Sequence, residues 1–272
     1  MKNKIVVFGL LIILISIGYF SDFKMFNFGN QKKEQVEIAE KSSASNYKNQ
    51  IDYSPTSTTG QIIVHQNYSL SYFEKYEQAE WVFYELKSNA GNSNFKRPYF
   101  IQDPLVKTKS ADYKNYKNSG YDKGHLCPAG DMKFSKEAFD DTFYTSNISP
   151  QKNEFNGGIW NRLENKTRYW AEKNNALFVV TGGVLKDGLK TIGKEKVAVP
   201  EYFYKILLQE NKGRYKMIAF LMPNKMSDRP LYDYVVSVDE IEKMTGIDFF
   251  PILPDAIENE LEKSSDYKSW SF

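Results

Sequence analysis

The 272-residue chain has little cysteine and little histidine, with Cys127 as its one thiol and His65 and His125 as its two imidazoles. A lone cysteine excludes an intramolecular disulfide, and these three residues cannot furnish the Cys/His set of a structural zinc site. Any metal the chain uses must therefore be held mainly by oxygen. Net charge is scarce too: 36 Lys and Arg stand against 34 Asp and Glu, a formal +2. That balance decides nothing about partners, because a local basic stripe fits inside a near-neutral total. Beyond the N-terminal segment the sequence has no long apolar run, which excludes a polytopic membrane protein. What is present, 41% hydrophobic and 15% aromatic residues, is enough to build a core of substantial size.

Lys2 and Lys4 precede an apolar run from Ile5 to Phe20, interrupted only by Gly9, Ser16 and Gly18. The run is slightly short for a membrane span of about 20 residues and slightly long for a signal core of about 7–15. Two forms stay open for residues 1–20: a signal peptide cleaved after Gly18, or an uncleaved membrane anchor extended by Phe23, Met25, Phe26 and Phe28. Both predict export, to the periplasm or outside the cell. A mitochondrial presequence would be Arg-rich and amphipathic, and this segment is neither. Residues 21–59 turn to Lys, Glu, Gln, Ser, Asn and Thr and read as a flexible tether.

The folded unit is expected over residues 60–272. Ile62-Ile63-Val64, the alternating Tyr68, Leu70 and Tyr72, and Trp81 to Tyr84 have strand character. So do Leu177 to Thr181, Tyr202 to Leu208 and Tyr215 to Leu221, whereas Gly158 to Lys173 has helical spacing. Strands come in runs rather than in alternation with helices, which predicts an α+β fold with a mostly antiparallel central sheet flanked by helices.

Chemistry concentrates in two places. Residues Tyr121 to Met132 bring Asp122, Lys123, His125 and Asp131 together with Gly124, Pro128 and Gly130, a composition suited to rigid, irregular backbone that aims polar side chains. Histidine can accept and return a proton near neutrality, although a lone histidine is also a common structural residue. About 20 residues on come Asn147, Pro150-Gln151, Asn156-Gly157-Gly158, Trp160, Glu164 and Arg168. On a helical wheel Leu163, Thr167, Trp170 and Ala171 share the arc of Trp160, with Glu164 and Arg168 together at its border. The pair reads either as the rim of a cleft or as an ordinary surface i, i+4 pair. Asn147 and Asn156 read equally as turn or cap residues.

These segments, in this order, resemble the DNA/RNA non-specific endonuclease family, which includes bacterial extracellular nucleases and mitochondrial endonuclease G. The matching elements are Asp122-Lys123-Gly124-His125, Asn147-Ile148-Ser149-Pro150-Gln151, Asn156 to Trp160, Leu163-Glu164 and Arg168. Trp81 to Tyr84, Arg97 to Pro104 and Thr245 to Pro251 extend the likeness, which covers about residues 60–262. The resemblance implies a ββα-metal (His-Me finger) nuclease that hydrolyses phosphodiesters of DNA and RNA with one Mg²⁺, Mn²⁺ being able to substitute. It implies His125 as the base that activates water and Asn156 as the direct metal ligand. Glu164 would hold metal-bound waters, Asn147 would position the site, and Arg97, Lys123 and Arg168 would contact phosphate. An inhibitor protein is a partner compatible with any such enzyme.

One position departs from the family pattern: Lys123 stands where an arginine is usual, replacing a planar, bidentate donor with a point charge. That departure alone favours an alternative, a non-catalytic nucleic-acid-binding or DNA-capture protein on the same fold. A phosphodiesterase of small nucleotides is a third reading. Asp122 either orients a neighbour or satisfies loop amides, Cys127 is expected to pack rather than react, and His65 is expected to be structural.

Overall fold

The computed structural model describes residues 53–272; the export segment and most of the expected tether lie outside the described residues. In chain order the elements are β1 (Ile62–Val64), β2 (Ser69–Phe73), β3 (Gln78–Lys87), β4 (Asp122–His125), α1 (Lys136–Asp141), β5 (Ile148–Gln151) and α2 (Asn161–Asn174). They continue with β6 (Ala176–Gly183), β7 (Thr191–Ile192), β8 (Val197–Ala198), β9 (Tyr202–Asn211), β10 (Arg214–Pro223), β11 (Val235–Val236), α3 (Val238–Thr245) and α4 (Asp255–Glu262). Seven strands form one sheet in the order β1-β2-β3-β6-β9-β10-β11, antiparallel at every pairing. The strands read from the sequence lie in this sheet, and the fold is the α+β, mostly antiparallel one expected. Among the described residues no helix is long and apolar enough to cross a membrane.

The central strands are apolar on both faces because both faces are covered. From β3, Val82, Tyr84 and Leu86 enter one core layer together with Leu163 and Trp170 of α2. Trp81 and Phe83 point the other way, into a layer closed by Val238 and Ile241 of α3 and by Phe249 and Phe250. The buried face of α2 is Leu163, Thr167, Trp170 and Ala171, the arc expected from its periodicity. Its other face is thereby turned to solvent beside the short β4–β5 hairpin.

The folded unit begins earlier than Gly60. Tyr53 stacks on Phe178 with ring centroids 4.4 Å apart, and the Trp81 indole donates to the Thr56 carbonyl at 2.8 Å. Thr58 N donates to Glu80 Oε1 at 3.0 Å, and Ser71 Oγ donates to the same oxygen at 2.6 Å. Residues 53–59 are polar because they satisfy a buried carboxylate, so their composition resembles a tether's while their role is to cap the sheet.

Candidate active site

β4 and β5 pair antiparallel with Asp122 opposite Gln151 and His125 opposite Ile148. A Cβ on Gly124 would sit 2.2 Å from the Gln151 side chain, so glycine is what lets the two elements close beside His125. The chain leaves β5 through a wide turn at Phe155–Trp160 before α2 begins. Within it Gly158 adopts φ −102° and ψ −111°, outside the regions that residues with a Cβ prefer. Phe155 and Trp160 at its ends are fully buried, 5.5 and 5.8 Å from the Phe203 ring. Asn156 is thus carried between two aromatic anchors. Hairpin and helix together are the ββα unit.

This unit lines a cleft of about 420 Å³ that brings together His125, Asn156, Glu164, Arg97, Lys123 and Arg168. Asn147 is the one site residue from the sequence that does not line it. Fully buried, Asn147 accepts from Cys127 N at 2.8 Å and donates to the carbonyls of Cys127 and Thr142 at 3.0 and 2.9 Å. Its own carbonyl accepts from Leu126 N at 2.9 Å. The side chain ties down the backbone immediately after His125 and acts as a positioning residue.

His125 packs edge-on to Phe143, centroids 5.0 Å apart, and against Phe100 at 5.6 Å. Its Nε2 is sealed from solvent and has no hydrogen-bond partner. Burial, reinforced by the positive charge of Arg97, pushes the imidazole down to about 3. The ring is therefore neutral at pH 7, with a lone pair that no described donor occupies. Arg97 itself is exposed, its guanidinium 5.3 Å from the Phe143 ring. Lys123 reaches along the cleft with Nζ 5.4 Å from the Phe100 ring and 5.9 Å from the Tyr116 ring.

Asn156 has one end of its amide fixed. Its Nδ2 donates to Asp122 Oδ2 at 3.0 Å, an oxygen that also accepts from Asn153 Nδ2 at 3.1 Å. The anion selects which end of the amide faces it, leaving Oδ1 available as an oxygen ligand. Asp122 is therefore an orienting group, the first of the two roles open to it. Replacing Asp122 with alanine is expected to weaken divalent-cation binding at Asn156 by about 10–100-fold, measured by calorimetric metal titration.

One turn into α2, Glu164 has no hydrogen bond to a described residue. Burial pushes its carboxyl up to about 7, with Lys205 and Arg168 pulling it down and Asp131 pushing it up. Arg168 is engaged elsewhere: Nη1 donates to Asp131 Oδ1, and Nη2 donates to Asn165 Oδ1 at 2.9 Å. Asp131 is buried and also accepts from the Tyr84 hydroxyl at 2.8 Å. The oxygen donors of Asn156 and Glu164, one unfilled amide oxygen and one carboxyl held up by burial, suit a hard divalent cation.

Two site residues escaped the sequence. Lys205 lies fully buried in β9, its Nζ donating to Thr181 Oγ1 at 2.7 Å and sitting 5.1 Å from the Trp160 ring. It faces the α2 side of the sheet with Phe203 and Leu207, and acts on Glu164 from below. The available signal was a lysine in the middle of an apolar strand. Asp131 stood within the Tyr121–Met132 stretch without a role, because its partners Tyr84 and Arg168 are remote in sequence. His65 is structural as expected: it is buried, and its Nε2 is 2.8 Å from Asp103 Oδ2. Cys127 is buried, its thiol pushed well up by burial, as suits a packing residue.

A family model described as DNA/RNA non-specific endonuclease matches residues 45–256. The chain belongs to this family. The match begins 15 residues before the expected start at residue 60. Nuclease EXOG, mitochondrial, of Danio rerio is 38% identical over 205 residues, 69% of this chain and 60% of that protein. Endonuclease G, mitochondrial, of Homo sapiens is 33% identical over 202 residues, 68% of each. A solved EndoG/EndoGI complex, described as showing the mechanism of EndoG inhibition, is similar with a TM-score of 0.66 at 30% identity. It covers 71% of this chain and 87% of its own. The chain spans about 60% of the length of the first of these relatives. The endonuclease-family fold is the ββα-metal fold expected. The expectation of export is corrected by the same comparison, since these relatives are named mitochondrial. Export rested on residues 1–20 alone, which lie outside the described residues.

Proposed function

We propose that this protein is a metal-dependent, sugar-non-specific endonuclease that hydrolyses phosphodiester bonds in DNA and RNA. The observation that carries this reading is the placement of a neutral His125 in one cleft with an Asn156 whose amide is pre-set by Asp122. His125 takes the proton of a water on Nδ1, its Nε2 being sealed, as that water's oxygen bonds to phosphorus and the ester P–O bond breaks. Arg168, Lys123 and Arg97 balance the phosphate charge, Arg168 being held in place by Asp131. Asn156 Oδ1 and, through waters, Glu164 would hold a single Mg²⁺ or Mn²⁺. When bound, that ion neutralises the charge developing on the phosphate and the leaving oxygen. Because the nucleophile is water, no 2′-hydroxyl is needed, which is why both sugars are accepted.

The names of the relatives as nucleases and the family description support this reading. The EndoG/EndoGI complex supports an inhibitor protein as a further partner. The competing reading, a DNA-capture protein, is favoured by Lys123 alone. Supercoiled plasmid and RNA incubated with the protein in Mg²⁺, Mn²⁺ or EDTA separate the two. Cleavage of both polymers with metal and none in EDTA is expected; binding of plasmid that stays intact under every metal condition would establish the capture protein instead.

A further inference from the structure

Away from the cleft, five carboxylates gather where α3, the link after it and α4 meet. Their ligand atoms form two trios that share one member: Asp239, Glu242 and Glu262, and Asp248, Glu258 and Glu262, each trio within 4.8 Å. Among the described residues none of the five makes an ion pair with a lysine or arginine. Repulsion of this kind is normally relieved by solvent, yet Glu262 is only 8% exposed. Its Oε1 is sealed and has no hydrogen-bond partner, and the same holds for Glu258 Oε1. The two orphaned oxygens belong to one trio, the one completed by exposed Asp248. The backbone of Asp248 is fixed on both sides by Thr56, through Asp248 N to Thr56 Oγ1 and Thr56 N to Asp248 O, each 2.9 Å. Glu242 is partly occupied, since its Oε1 accepts from Phe249 N at 2.9 Å.

We propose that Asp248, Glu258 and Glu262 form a second, structural cation site that takes Ca²⁺. Ca²⁺ binds carboxylate oxygens at about 2.3–2.6 Å, so oxygens on opposite sides of one ion stand about 4.6–5.2 Å apart. Ligand atoms that all lie within 4.8 Å of one another therefore fit around one ion. Exposed Asp248 leaves the site open to solvent for the remaining water ligands, while Asp239 and Glu242 add negative potential behind Glu262. Bound there, the ion joins α4 to the Gly246–Pro254 link, over the core residues Phe249 and Phe250. The rival arrangement is a proton shared between Glu262 and Glu242, which approach each other in hydrogen-bonding contact.

The test uses the full chain stripped of metal, titrated calorimetrically with CaCl₂ at pH 7.5 and melted with and without it. The Asn156→Ala variant serves as the background, so that an ion in the cleft does not contribute and the outcome does not depend on cleavage. One Ca²⁺ per chain is expected, with Tm raised by about 5 °C or more at a hundredfold excess over Kd. Glu262→Gln and Asp248→Asn should each weaken binding at least tenfold and abolish the thermal shift. Asp248 is exposed, so its variant decides the matter should Glu262→Gln fold poorly. No calcium binding in the Asn156→Ala background, or binding unchanged by Asp248→Asn, overturns the site. A melt indifferent to Ca²⁺ but stabilised on lowering the pH would establish the shared proton in its place.

Discussion

His125→Ala is expected to slow single-turnover cleavage of plasmid by about 10³-fold, within the range for loss of a general base, while DNA binding measured by gel shift stays near wild type. The phosphate contacts proposed for Arg97, Lys123 and Arg168 do not pass through the imidazole, so affinity is expected to survive the loss of the base. A variant that cuts at the wild-type rate would remove His125 from the mechanism. The same ring predicts a cost in stability. Its folded pKa, about 3, lies below the ordinary histidine value of 6.5. Folding therefore excludes a proton that the unfolded chain accepts. The contribution is intact above about pH 6.5 and declines as pH falls towards about 3, at about 1.4 kcal/mol per pH unit. His125→Ala removes that decline, so between pH 8 and pH 5 the variant should lose about 1–2 kcal/mol less than wild type. Urea unfolding at the two pH values measures the difference.

Asn156→Ala is expected to lower cleavage at least about 100-fold at millimolar Mg²⁺, with partial recovery at much higher metal. The pH dependence of that metal requirement is expected to follow Glu164, the residue proposed to hold the ion's waters, whose carboxyl burial pushes up to about 7. A cation favours the carboxylate, and a proton competes with it. Below about pH 7 the half-saturating Mg²⁺ concentration should therefore rise by up to tenfold per pH unit, and above about pH 8 it should be flat. Glu164→Gln should weaken metal binding and erase the slope. A slope that persists in Glu164→Gln would assign the competing proton to another group.

What the sequence disclosed was what local pattern encodes. The two-residue period of Tyr68, Leu70 and Tyr72 and the arc of Leu163, Thr167, Trp170 and Ala171 reappear as β2 and the buried face of α2. The glycines around Asn156 marked the turn that became the wide loop before that helix. The features that stayed hidden depend on contacts between remote segments. Lys205 read as one more strand residue, because only the packing of β9 beneath Trp160 turns it into a charge acting on Glu164. Asp122 became an orienting group through a contact 34 residues away, with Asn156. Residues 53–59 read as tether because polarity is visible in a sequence, whereas the burial of one polar group by another is not. Asn147 read as a site residue, whereas the structure has it holding backbone and not facing the cleft.

The central claim is that a water held in this cleft, activated by His125, is the nucleophile at phosphorus. Cleavage of DNA and of RNA in oxygen-18 water with Mg²⁺, followed by mass spectrometry of the product ends, tests it most directly. The account predicts a single oxygen-18 in the one terminal phosphate that each cut leaves, in both polymers, and no 2′,3′-cyclic phosphate from RNA. Unlabelled phosphate ends, or cyclic phosphate accumulating from RNA while DNA stays uncut, would contradict it.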